Sequence, residues 1–183
     1  MNIFVLSEKI EEIARWHVDK HIVKMPLECA QMLCTALHIH GREAPYKPVH
    51  IKHPCTLWTA ASRANFLWLC ELGLTLCNEF TFRFDNVHDK VQDVIKKCID
   101  WSANIPGNEL TPFAQAMPIE CKDPDSAVNA YRNYYRKVKM HLAEWRRRET
   151  PEWYYKKQEA DNAKQAIGVG GDGAGGRSER IFV

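Results

Sequence analysis

The 183-residue chain has no apolar run near the roughly 20 residues that a membrane-spanning helix needs. Its start, MNIFVLSEKIEE, has neither the basic opening nor the long apolar core of a secretory signal, so a cytoplasmic, intracellular location is expected. No two cysteines stand in a short-spaced pair such as CxxC, and their number, seven, is odd. A disulfide framework is therefore not expected, and Cys29, Cys34, Cys70 and Cys77 fit apolar helical patterns as reduced core residues. Glycine is scarce until residue 168, where six of the nine fall within 168–176. Net charge is only +2, so bulk charge assigns no partner. The chain shows no internal repeat.

What remains is an ordinary globular composition, 45% hydrophobic and 26% charged. It predicts a single, mainly α-helical domain over 1–163, with long proline-rich loops, and a flexible Gly-rich tail over 164–183. Residues 2–6, NIFVL, read as a first strand or a buried segment. Ser7 opens a helix that continues to about His38 and bends near Pro26. The stretch 41–55 holds three prolines and reads as a loop carrying His50, Lys52 and His53. A second long helix starts at Thr56 or Ser62 and ends near Phe82, its tail EFTFRF being helix rather than strand. A third covers His88 to Trp101, with Val91, Val94, Ile95 and Cys98 inward. Residues 104–124 hold four prolines and read as irregular; a fourth helix runs from about Ser126 to Arg148.

Two constellations carry chemistry. On one continuous helix, His17, His21, Lys24 and Glu28 share a stripe, beside the apolar stripe of Val18, Ile22, Met25, Cys29 and Met32. Two histidines four apart can chelate a metal, but Lys20 and Lys24 oppose a dication, so no metal or other cofactor is expected. A glutamate working as acid or base among basic groups fits better; the bland alternative is a Glu–Lys helix pair beside half-exposed histidines. The second constellation spans Tyr131 to Lys157, where nine Lys/Arg stand against three Glu and alternate with seven Tyr/Trp. Cations suit a phosphate backbone and flat rings suit unstacked bases. The alternative there is a solvated helix face whose tyrosines complete the core.

At these residues the sequence resembles the phage pyrimidine-dimer DNA glycosylases of the endonuclease V type. Asp19, His21 and Glu28 keep the spacing of that family's Asp-x-His and catalytic Glu, and Pro26 lies close to the Glu. His53-Pro54 matches the element that opens the family's second helix, and Glu79-Phe80 with Arg83-Phe84 resembles its end. Pro151, Trp153, Tyr154 and Tyr155 look like its DNA-contacting aromatic cluster. The resemblance covers residues 1–85 and a short stretch around Trp153; residues 86–148 have no counterpart.

The resemblance implies a helical monomer that kinks double-stranded DNA and cuts the bond between a base and its sugar. The family's nucleophile is the α-amine exposed by removal of Met1; it forms a Schiff base, and the Glu assists strand cleavage. This chain departs from the family in three places. Asn2 is too large for routine methionine removal, leaving the amine of Met1, Lys24 or a Glu28-activated water as nucleophile. Arginines that flank the family's Glu are Leu27 and Gln31 here, which points to another lesion or a modified pyrimidine as the preferred base. The expected catalytic set is Glu28, His21, Lys24, Met1 and His53. The expected DNA contacts are His17, Lys20, Gln31, Arg83, Arg146, Arg147, Trp153, Tyr154 and Tyr155. Three other readings use the same residues: a base- or nucleotide-modifying enzyme of phage hypermodification, a non-catalytic DNA-binding protein, and a metal-dependent hydrolase.

Overall fold

A computed structural model describes residues 1–155. Residues Met1–Thr150 form one compact unit, and a second begins at Pro151, of which 151–155 are described. The expected tail from 164 lies outside the described residues. The described residues are helical and contain no β-strand. The first unit holds α1 (Ile10–Trp16), α2 (Asp19–Ile39), α3 (Pro54–Ala61), α4 (Arg63–Phe84), α5 (Asp89–Asp100) and α6 (Ala127–Lys137). Among the described residues, no helix is long and apolar enough to cross a membrane.

The core lies where α2 packs against α3, α4 and α5. The apolar stripe of α2 that includes Ile22, Met25, Cys29 and Met32 is buried, as its 3.6-residue period requires. Gly73 lets α4 approach closely: a Cβ there would meet Ile95 Cδ1 at 2.8 Å and Cys29 Cβ at 3.2 Å. Val91, Val94, Ile95 and Cys98 of α5 face inward as expected. All seven cysteines are free and buried.

Three expected helices have different limits. The first breaks at His17 and Val18, both extended, while Pro26 sits inside an unbroken α2. The break is stabilised from α4. The Arg83 guanidinium donates to the carbonyls of Arg15 (2.8 Å) and His17 (2.9 Å), groups that the end of α1 leaves unpaired. It also reaches Asp19 of the first turn of α2 at 2.9 Å. The second helix is likewise two helices. Ser62 is extended, accepts from Asn65 N at 3.1 Å as the cap of α4, and donates to Glu109 O at 2.7 Å. His53 caps α3, with Pro54 as its first residue.

The fourth helix ends at Lys137 rather than Arg148. Beyond it comes one 3-10 turn, Met140–Leu142, and then the backbone forms tertiary hydrogen bonds. Glu144 O accepts from Asp19 N at 2.8 Å, and Arg146 N donates to the Asp19 carboxylate at 2.9 Å. Residues 2–6 are a buried segment, not a strand, and EFTFRF is helical.

Candidate active site

Glu28 stands on α2 with its side chain 10% exposed. Oε1 lies 3.3 Å from Lys24 Nζ, one helical turn away, and Oε2 lies 3.3 Å from the α-amine of Met1. The two cations differ in setting. The Lys24 side chain is 70% exposed and stands at the rim, whereas that of Met1 is 2% exposed. Met1 as a residue is nonetheless only half-buried, so its accessible surface lies on the backbone end that carries the amine. These groups line a cavity of about 160 Å³, closed by Phe4, His21, Tyr134 and Lys139. The Lys139 ammonium sits 5.1 Å from the centre of the Tyr134 ring, adding a third cation.

His21 supplies shape and hydrogen bonding without charge. Its ring stacks on Phe4, centroids 4.3 Å apart, and Nδ1 lies 2.7 Å from the Tyr135 hydroxyl oxygen. Burial lowers its pKa to about 2, helped by repulsion from His17, Lys139 and Lys24. Burial likewise holds the Tyr135 hydroxyl protonated. His53 is half-buried at the start of α3, its Nδ1 accepting from Cys55 N at 3.2 Å. Its pKa is lowered by burial and then by the positive α-amine, which places the ring within electrostatic reach of the site.

The structure thus brings Met1, His21, Lys24 and Glu28 around one cavity, with His53 close by. Other candidates are placed differently. His17, expected to touch DNA, is instead fully buried; Nδ1 donates to Ile13 O at 2.7 Å, and Nε2 is buried with no partner among the described residues. Arg83 is instead fully buried and holds the α1–α2 break and Glu79, so it presents nothing to a nucleic acid. Gln31 is half-buried and outside the cavity lining. Lys20 is exposed, and with Lys24 it borders an apolar groove of about 530 Å³ between α2 and α5.

The basic aromatic segment divides into three. Tyr131 and Tyr135 complete the core, while Tyr134 and Lys139 reach the cavity. The three arginines dock on neighbouring helix ends. Arg146 lies over the Phe84 ring at 5.6 Å, Arg147 pairs with Asp85, and Arg148 grips both oxygens of Glu79 at 2.9 and 2.8 Å. In the second unit, residues 152–155 are helical. The rings of Trp153, Tyr154 and Tyr155 meet edge-on in sequence, at 5.9 and 6.0 Å.

Sequence reasoning missed Asn2, Phe4, Tyr134 and Lys139. The last two belong to the segment flagged for nucleic acid, but their stack of ring and ammonium depends on where α6 stops. Asn2 and Phe4 sit in a run that reads as plain core. Among the described residues, no three His, Cys, Asp or Glu side chains are grouped to hold a metal ion. Comparison of the chain with family models, curated proteins and solved structures finds no match.

Proposed function

We propose that this protein is a DNA glycosylase that excises a damaged or modified pyrimidine from double-stranded DNA. The observation that carries the reading is the Met1 α-amine, 3.3 Å from the buried Glu28 carboxylate inside a cationic cavity. An amine beside a carboxylate that can take its proton is an activated nucleophile. Glu28 takes a proton from the α-ammonium, and the neutral amine attacks C1′. An N–C1′ bond forms as the base leaves with the electrons of its glycosidic bond, and the Glu28 carboxyl passes its proton to the base. Once its proton has passed to the base, the Glu28 carboxylate faces the positive charge left on the nitrogen joined to C1′. The C1′–O4′ bond then breaks with its electrons on O4′, which takes a proton from that nitrogen through Glu28. This leaves the protonated Schiff base that borohydride reduces. Lys24 and Lys139 at the rim suit the flanking phosphates.

The cavity's size bears on the rival enzyme. About 160 Å³ is below the roughly 300–1,000 Å³ of sites that engulf a small molecule. It suits the sugar edge of a nucleotide turned out of a duplex better than a free nucleotide. Exposure bears on the choice of nucleophile. The Lys24 side chain is largely exposed, while Met1 is anchored through its buried thioether, which favours Met1 as the nucleophile and Lys24 as a phosphate partner.

The test is incubation with duplexes carrying assorted pyrimidine lesions and modifications, with EDTA and borohydride present. The expected product is a covalent protein–DNA adduct that maps to Met1. It should be lost in Glu28→Gln and in a protein with one residue added before Met1. Abasic sites without an adduct would replace the amine with water. Bound DNA with no product would indicate a binding protein, and a changed base with no abasic site a modifying enzyme.

A further inference from the structure

We infer that Asn2 is a positioning residue: by clamping the N-terminal segment to the 104–124 loop, its side chain fixes the Met1 amine on Glu28. This rests on the role proposed above for the amine. The first residues of a chain are poorly ordered unless tied down. Here Asn2, Ile3, Phe4, Val5 and Leu6 are all buried, yet no sheet ladder holds them.

The Asn2 side chain supplies the tie in both directions. Nδ2 donates to Ala116 O at 2.8 Å, across 114 residues of sequence. Oδ1 accepts from Ile3 N at 2.8 Å, which fixes the amide group relative to its own backbone, and from Cys55 Sγ at 3.8 Å. The loop is itself anchored, since the Tyr131 hydroxyl donates to Ala114 O at 2.6 Å. On either side, Thr56 Oγ1 donates to the Met1 thioether at 3.9 Å, and Phe4 stacks on His21. Phe4 holds φ at +32°, a region L side chains rarely adopt, so this segment is held against backbone strain.

Packing alone does not account for an asparagine here. A buried amide opposes folding unless its hydrogen bonds are made, and an apolar residue would continue the run Ile3–Leu6. Only a short side chain with both a donor and an acceptor can hold Ala116 and the Ile3 amide together. The tied residue is the direct neighbour of the amine. A misplacement of about 1 Å at a reacting group lowers a rate about a hundredfold, so this tie acts on the chemical step.

The experiment compares wild type with Asn2→Asp in single-turnover borohydride trapping on the lesion duplex that wild type cleaves. Intact mass checks that Met1 is retained. N2D keeps the size of the side chain but loses the donor to Ala116. Its trapping rate at pH 7.5 should fall about a hundredfold relative to wild type, with unchanged Kd for DNA. As the pH falls and the new carboxyl gains a proton, an O–H donor returns, so the deficit relative to wild type at the same pH should narrow. An undiminished N2D rate would overturn the inference, as would a deficit equal at every pH. If N2D does not fold, Asn2→Gln, longer by one methylene, should show the same rate loss at unchanged Kd; a wild-type rate there would overturn it. Absence of an adduct in wild type would strike the proposed function instead.

Discussion

Arg83 Nε donates to Glu79 Oε1 at 2.7 Å, with the guanidinium fully buried. The same guanidinium serves Asp19 and the carbonyls that end α1, so one side chain joins α1, α2 and α4. Removing the guanidinium strips the carbonyls of Arg15 and His17 and the Asp19 carboxylate of a donor, while Glu79 keeps Arg148, at about 3 kcal/mol in all. Arg83→Met should lose that much stability in urea titration, and Arg83→Lys most of it, because an ammonium cannot match the planar fork. A loss below about 1 kcal/mol would make the joint incidental.

Glu79 gives the same cluster a pH dependence. Burial pushes its carboxyl up, but hydrogen bonds from Arg148 and Arg83 outweigh that and hold it below the ordinary glutamate value. A depressed carboxyl contributes stability that is present above its unfolded pKa and lost as pH falls toward the folded one. The two buried histidines act in the same direction. Burial lowers His17 to about 4 and His21 to about 2, from an ordinary 6.5. Below pH 6.5 the unfolded chain binds protons that the folded chain refuses, at about 1.4 kcal/mol per pH unit for each histidine. The denaturation midpoint should fall steadily from pH 6.5 to pH 4, and His21→Gln should flatten that slope by about half. A midpoint independent of pH over this range would show that neither ring is buried neutral.

Lys24 and Lys139 flank the cavity from α2 and from beyond α6. If both meet phosphates, neutralising each should lower the slope of log Kd against log salt by about one. Lys24→Gln and Lys139→Gln are therefore expected to weaken duplex binding uniformly across sequences at low salt, with the difference vanishing near 1 M. Arg83→Lys should leave the slope unchanged, because that guanidinium is interior.

Much of the fold could be read from the chain because local physics fixed it. The buried stripe of α2, the inward face of α5 and the proline-rich loops all follow from period and composition. The helix breaks were harder. At His17 the helix stops because Arg83, far along the sequence, takes its carbonyls, and near Lys137 because Asp19 and Glu79 draw residues 144–148 off the helical path. Pro26, where a bend is expected, is carried inside α2, and the break comes at His17 and Val18 instead. The site divided in the same way. His21, Lys24 and Glu28 share one helix face and were visible as a pattern, whereas Asn2, Phe4 and Lys139 arrive through tertiary contacts that no spacing records.

The cysteines offer a test of the core that does not depend on function. All seven are free and buried, with no disulfide among the described residues. Thiolate is the reactive form, and burial suppresses it at Cys55, pushed up to about 11, and Cys77, pushed up to about 12; Cys34 is drawn down by its contact with Cys98 but is shielded by complete burial. A chromogenic disulfide reagent should therefore find almost no reactive thiol in the native protein at pH 8. In denaturant it should count seven, with or without prior reduction. Native reaction should proceed only as the core opens, so its rate should track stability: faster in Arg83→Met, slower under conditions that stabilise the fold. A rapid native reaction at any cysteine would mean that its helix is not packed as described. A count below seven in denaturant without reductant would mean that a disulfide had formed, with Cys34 and Cys98, sulfurs 4.0 Å apart across α2 and α5, the first pair to map.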